Sequence, residues 1–360
     1  MESVHFMTAK FYLKERLLCK TDKYLFCYHK GCVVLRKSKD KSIINKLRIQ
    51  SIMKSTRAAE RVLRYEPRAT FQIDDENFAF ALHGAVYNYS VKKNIITAEH
   101  YFAKGMNNPL KFCVRYDENG NIVEALYGEY IWNTENGSVS IYRYRNKIWS
   151  EVFVFPPNSI KHIHNIVYDQ YKDRYLILTG DSDSESGIWK ADTDFKNVEP
   201  IISGKQIYRA CVAYPTKNGI YYATDTPLEQ NKLYKLYENN DGRVSLDKIY
   251  DMPGPCIYGI ILDDNLFMST SVEGDPSVGK FRYRLSYRLG KGVKDRNVHI
   301  IKCSVEGNVS EIASFKKDIL PMWLFQFGNA LFPVQTDKSA LYLCPQSVKG
   351  KKGTYVIYND

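Results

Sequence analysis

The sequence predicts an all-β fold, a β-propeller of seven blades forming a single domain over residues 1–360. Three observations carry that expectation. A strand–turn–strand pattern recurs about every 40 to 55 residues, the period of repeat architectures. Aromatic residues make up 14% of the chain, with 28 Tyr and 17 Phe, and these suit a pleated, half-buried surface. No long amphipathic helical period interrupts the pattern. A repeat of this size buries its apolar faces only against its neighbours, so the copies must stack around an axis.

The clearest copy reads His162–Asp169, a turn through 171–174, and a second strand over 175–181. The next repeats it as 208–214, turn 215–219 and 220–225, and the preceding one as 110–116, turn 117–121 and 122–129. In chain order, residues 1–66 form an irregular first unit: a short meander over 24–28, 32–36 and 43–49, then a stretch of helical composition over 51–64. The further units cover 70–102, 110–155, 162–202, 208–250, 257–315 and 324–360. Strands from both chain ends are expected to complete one blade. Six blades with an N-terminal extension fit the same spacing.

A net charge of +11 favours anionic partners: a uronate-bearing or sulfated glycan, nucleic acid, or an acidic surface. The basic residues are scattered except over 280–291, where Lys and Arg alternate with aromatics. Such a run would track a phosphate backbone or a charged glycan, but a hairpin with one wet face gives the same alternation, and that solvated hairpin is the expectation. A nucleic-acid partner rests on net charge and this run alone. Eight cysteines lie singly, without CxxC spacing, so neither a zinc motif nor a redox motif is indicated. Residues 1–20 carry charges with no apolar stretch of signal-peptide length, and no apolar run is long enough for a membrane helix. The expectation is a cytoplasmic chain with reduced, unbridged thiols and no membrane partner.

Residues 187–195, Gly-Ile-Trp-Lys-Ala-Asp-Thr-Asp-Phe, resemble the Asp-box hairpin, S-x-D-x-G-x-T-W, of sialidase-type and BNR-repeat propellers. Asp192 or Asp194 stands for the box Asp, while its Gly and Trp are missing. The stretch 162–225, with His-x-His, Gly-Asp-Ser-Asp-Ser-Glu, Gln206-Ile207-Tyr208-Arg209 and Thr224-Asp225-Thr226-Pro227, is similar to bacterial BNR-like propellers. The resemblance implies the fold; an Asp box is a turn on the blade's outer side and carries no activity. Sialidases imply three arginines on the substrate carboxylate, an Arg-Ile-Pro segment and a Tyr/Glu pair. No Arg-Ile-Pro occurs here and Arg209 alone is centrally placed, so sialidase activity is not implied.

In a blade the first strand lines the axis and the second returns beside it, so first-strand starts and second-strand ends share one face. That rule brings Lys111, His162, His164, Tyr208, Arg209, Tyr258 and Gln326 to the axial mouth, with Glu129, Asp181 and Asp225 at matching second-strand ends, and Glu273 a further one. His162 and His164 project to the same side of a strand and suit general acid/base work or metal ligation; the sequence identifies no third ligand, so no metal is assigned. Asp181, Asp183 and Glu185 alternate as Ca²⁺ ligands would, but without the central Gly and distal Glu of a calcium loop, and a polar turn is the expectation. Arg209 offers a planar fork to a uronate and Tyr208 a phenol for proton exchange. The tryptophans at 132, 149, 189 and 323 serve as sugar platforms or, more ordinarily, as core.

The functional expectation is a carbohydrate-active propeller acting on an acidic glycan as glycosidase or polysaccharide lyase. Its catalytic set is His162, His164, Asp181, Tyr208, Asp225 and Glu129, and its substrate-binding set is Arg209, Tyr258, Lys111 and Gln326. The alternative is a non-catalytic propeller that binds a glycan or a protein, with a place beside surface-polysaccharide synthesis.

Overall fold

The computed structural model describes residues 8–49, 57–239 and 242–358, and folds as a seven-bladed β-propeller. The first blade is Arg16–Lys20, Tyr24–His29, Cys32–Lys37 and Ile43–Arg48, with Val334–Gln335 added parallel to its inner strand. The second is Thr70–Asp74, Asn77–Leu82, Ala85–Ser90 and Ile95–Tyr101, and the third Cys113–Tyr116, Ile122–Gly128, Val139–Arg145 and Ile148–Phe155. His162–Asp169, Arg174–Gly180, Gly187–Asp192 and Val198–Ser203 make the fourth. Ala210–Thr216, Gly219–Thr224, Lys232–Glu238 and Val244–Asp251 make the fifth. The sixth is Cys256–Leu262, Asn265–Thr270, Asn297–Ser304 and Val309–Lys316.

The seventh blade draws on both ends of the chain: Asn329–Leu331, Ala340–Gln346 and Thr354–Tyr358 are completed by Lys10–Leu13, antiparallel with Lys10 opposite Val356. The N-terminal region therefore divides between two blades, and the first blade has a regular inner strand, Arg16–Lys20, beyond the short meander expected from its sequence.

Tight two-residue hairpins set the registers. His83-Gly84, Asn146-Lys147 and Asp263-Asp264 all have positive φ at both positions, the backbone that matches the right-handed twist of the flanking strands. The core lies between blades rather than within them. Val212, Tyr214 and Tyr221 of the fifth blade, for example, share one buried cluster with Met268 and Ile301 of the sixth. Each such side chain contributes about 1.5–3 kcal/mol by leaving water.

The long excursions leave the ring on one face. Residues 57–69 lie between the outer strand of blade one and the inner strand of blade two, 271–296 follow a second strand, and 317–328 follow another outer strand; in a blade of alternating direction all three positions lie where inner strands begin. The helix Arg57–Leu63 lies in the first of these, within the stretch of helical composition, whose residues 51–56 are outside the described ones. It is fastened to the third: Arg61 pairs with Asp318 at 2.7 Å, and Gln326 Nε2 donates to the Arg61 carbonyl.

The run 280–291 corrects the hairpin expectation. Lys280–Leu285 is a six-residue helix that follows the short 3-10 turn Pro276–Val278. Only the end of the run pairs: Leu289 bridges antiparallel to Gly274, with the Asp275 amide donating to the Arg288 carbonyl and the Gly290 amide to the Glu273 carbonyl. All eight cysteines are buried free thiols. Among the described residues, no helix is long and apolar enough to cross a membrane.

Candidate functional site

Four inner strands begin with the same irregularity: that of blade one, where Leu18 is the extra residue, and those of blades four, five and six. The ladder between the first two strands slips after Ile163, after Ala210 and after Cys256, leaving His164, Cys211 and Ile257 as the extra residues of bulges. A bulge re-aims the side chain that it carries. Here the rings of His162 and His164 end up with centroids 4.9 Å apart. Asp181 and Asp225 directly follow the second strands of blades four and five, and Glu273 lies three residues past that of blade six, so three acids from neighbouring strand ends face one centre.

Arg209, at the C-terminal cap of the 3-10 turn Gln206–Tyr208, joins the acids. Its Nη2 lies 3.0 Å from Asp181 Oδ1 and 3.7 Å from Asp225 Oδ2, and Nη1 donates to the Asp181 carbonyl at 3.2 Å. The His162 Nδ1 is 2.9 Å from the Ile131 carbonyl and the His164 Nδ1 is 2.9 Å from the Ala210 carbonyl. A carbonyl only accepts, so both rings carry their proton on Nδ1. Both Nε2 atoms then face Asp181 Oδ1, each at 3.5 Å.

The electrostatics follow from burial and these contacts. Burial lowers the pKa of His162 despite Asp181 beside it. Burial also works to raise the pKa of Asp181, yet its histidine neighbours and the Arg209 charge hold it well below the usual carboxylate range. Burial and the Asp225 charge push the Glu273 carboxyl up, against a hydrogen bond from the Ser271 hydroxyl and the pull of Arg209. Burial likewise raises the Tyr130 phenol, helped by Asp181.

Of the residues expected at the mouth, His162, His164, Asp181, Arg209 and Asp225 come together. Tyr258 and Gln326 line an adjoining cavity of about 80 Å³ with Arg64, Arg68, Tyr130 and Asp225; the Tyr258 hydroxyl accepts from Arg68 at 3.1 Å. Tyr208 stands apart, buried beside Tyr222. Glu129 turns away from the axis: its carboxylate accepts from the Ser140 amide at 2.8 Å, in the outer part of its own blade.

Lys111 enters the other end of the axial channel, a cavity of about 400 Å³ lined by inner strands. Its Nζ donates to the Gly259 carbonyl at 3.1 Å, and desolvation lowers its pKa. The calcium cluster does not assemble. The Glu185 carboxylate is taken by the Ser182 amide and hydroxyl, while Asp181 faces the histidines. Among the described residues, the groups whose ligand atoms converge are His162, His164 and Asp181, and His164, Cys211 and Asp225.

Sequence reasoning missed Arg64, Arg68 and Tyr130. The first two come from the 57–69 excursion, which has no repeat pattern to place them. Tyr130 directly follows Glu129, and its ring meets His162 edge-on at 4.5 Å between centroids. Trp132 is the exposed tryptophan, at 66%, one residue beyond the carbonyl that holds His162. Trp149 is packed among Phe71, Phe112 and Tyr127, and Trp189 donates to Thr179. Trp323 is flanked by the guanidiniums of Arg64 and Arg284 at 5.8 and 5.0 Å.

No known family model matches the chain, and no curated protein matches it. Solved structures do. Oligogalacturonate lyase from Vibrio parahaemolyticus superposes with a TM-score of 0.58 at 8% identity, over 98% of this chain and 90% of that one. Virginiamycin B lyase from Staphylococcus aureus gives 0.54 at 9% identity over 98% of both chains. The β-propeller domain of Cps50 (Swd1) from Myceliophteria thermophila gives 0.51 at 11% identity, over 100% and 99%. At such identities the shared property is the seven-bladed propeller fold.

Proposed function

We propose that the protein acts on an anionic, uronate-containing glycan at the axial cluster, as a polysaccharide lyase. The observation that carries this reading is the convergence of Arg64, Arg68 and Arg209 on the place where Asp225, Tyr130 and Tyr258 meet. The adjoining cavity of about 80 Å³ admits a carboxylate rather than a whole sugar ring. The uronate group enters it and the ring stays outside; Trp132, exposed and next in sequence to Ile131, whose carbonyl holds His162, is the candidate stacking face.

Arginine forks neutralise the carboxylate and so favour loss of the proton on the adjacent carbon. A neutral imidazole or a phenol takes that proton, the bond from the next carbon to the glycosidic oxygen breaks, and the oxygen is protonated as it leaves. The products are an unsaturated uronate and a new reducing end. A glycosidase remains the second reading, favoured by Glu273, whose raised pKa suits a general acid. Oligogalacturonate lyase shares the fold, and other propellers that share it are not enzymes, so the residues rather than the fold support the reading.

The same reading makes the chain a distant relative of BNR-repeat, sialidase-like propellers. Its support is the Asp192 carboxylate, which accepts from the Lys196 and Asn197 amides in the outer hairpin of blade four. We place the protein in a bacterial cytoplasm, on an intracellular glycan or beside surface-polysaccharide synthesis, a placement supported by the buried free thiols. Incubation with a panel of acidic oligosaccharides tests the function. Unsaturated-uronate absorbance identifies the lyase, and new reducing ends without that absorbance identify the glycosidase. Binding with neither product selects the non-catalytic alternative, and no binding across the panel sinks the saccharide proposal.

A further inference from the structure

His162 and His164 each use Nδ1–H on a main-chain carbonyl, so each neutral ring presents the Nε2 lone pair. Both lone pairs are aimed at a carboxylate oxygen, Asp181 Oδ1, from 3.5 Å. His162 Nε2 is buried and has no hydrogen-bond partner, although an orphaned acceptor of this kind costs about 1–3 kcal/mol. Three acceptors facing one point repel unless a cation lies among them.

We propose that His162, His164 and Asp181 form a mononuclear site for a divalent transition-metal ion, with Zn²⁺ as the probe ion. The spacing fits. An ion about 2.1 Å from each ligand atom, set on edges of 3.5 Å, subtends about 113° between nitrogen and oxygen, close to the tetrahedral angle that zinc adopts. Two imidazoles and one carboxylate leave a fourth position for water or substrate, as catalytic zinc sites do. The donor set also separates the site from calcium or magnesium, which take oxygen ligands.

The surroundings match what metal-bound groups require. Ligating histidines donate their other ring N–H to a carbonyl or carboxylate, and both rings do so here. Arg209 Nη2, 3.0 Å from the ligating oxygen, orients that carboxylate from outside the coordination sphere. The side chain of Asp181 is 37% exposed while both histidine side chains are nearly fully buried, which puts the entry path on the Asp181 side. The inference does not need the glycan reading, since a binding propeller holds a metal as readily as an enzyme does; with the ion bound both imidazoles are ligands, and of the two bases named above the phenol remains.

Untagged full-length protein, stripped with chelator, is titrated with Zn²⁺ in a calorimeter, and the zinc-loaded protein is examined by X-ray absorption. We expect one equivalent per chain, a scattering shell of nitrogen and oxygen with two imidazoles, and a higher Tm on loading. His162→Gln and Asp181→Asn should each weaken binding at least about 10-fold, while Cys211→Ser leaves it unchanged. A sulfur scatterer, or loss of binding in Cys211→Ser, moves the ion to the His164, Cys211 and Asp225 group and overturns the proposed ligand set. Failure of the wild-type protein to take up one equivalent overturns the site whether or not any variant folds.

Discussion

His164 and Gly180 face one another across the inner strand pair of the fourth blade, so closely that a Cβ on Gly180 would stand 2.5 Å from His164 Cε1 and 3.2 Å from Arg209 Cγ. The absence of a side chain at one residue thus makes room for both the imidazole and the guanidinium stem. Gly180→Ala should force the ring out of its carbonyl contact and cost about 1–3 kcal/mol of stability, as overpacking does. Urea unfolding measures the cost, and zinc titration of the same variant should show weakened binding.

Arg209 bridges the buried Asp225 and the partly exposed Asp181, so its removal strikes the fold as well as the chemistry. Arg209→Ala should cost about 3–5 kcal/mol, the usual penalty for leaving a buried charge unpaired. Adding Asp225→Asn to that variant should recover part of the loss. A double-mutant cycle in urea reads the coupling, and a cost below 1 kcal/mol for Arg209→Ala would falsify the bridging role.

Glu273 gives a pH signature. Burial, then Asp225, raises its pKa from 4.5 to about 7, so the folded protein holds this proton more tightly than the unfolded chain. The stability that it contributes is complete below pH 4.5, declines as pH rises towards 7, and is gone above that. Glu273→Gln should remove this component of the slope in urea midpoints measured across that range.

Away from the site, Glu124 is fully buried and accepts from Arg115 at 2.6 Å, from Arg145 at 2.8 Å and from the Tyr175 hydroxyl. Glu124→Gln should destabilise by about 3–5 kcal/mol and leave zinc affinity as it is. An affinity change comparable to that of His162→Gln would show that the two regions are coupled.

The ring was legible in the sequence because inner strands, hairpins and second-strand acids recur in phase. The same phase placed Asp181 and Asp225 beside His162, His164 and Arg209. It failed where local backbone departs from the repeat. Glu129 occupies the same repeat position as Asp181, yet its side chain turns to the Ser140 amide. Lys111 precedes its inner strand by two residues and points down the channel.

Arg64 and Arg68 were out of reach for a different reason, since they lie in an excursion that repeats nowhere else in the chain. The 280–291 run shows the limit of binary patterning. Alternation favours a strand only where a partner runs alongside; here Lys280–Leu285 coils into a short helix and only the stretch around Leu289 pairs, with Gly274.

The pairing of Lys10–Leu13 with Thr354–Tyr358 has a consequence for the order of events during synthesis. The ribosome delivers the first of these strands long before the second, so the blades made in between gather as an open arc with an uncovered end. Only when the late strand emerges is there an edge for the early one to seal, and the loop that closes spans nearly the whole chain, which makes this the slow contact to find. Until then the nascent arc exposes unpaired strand edges, and that interval is when the molecule is most vulnerable to joining another copy of itself.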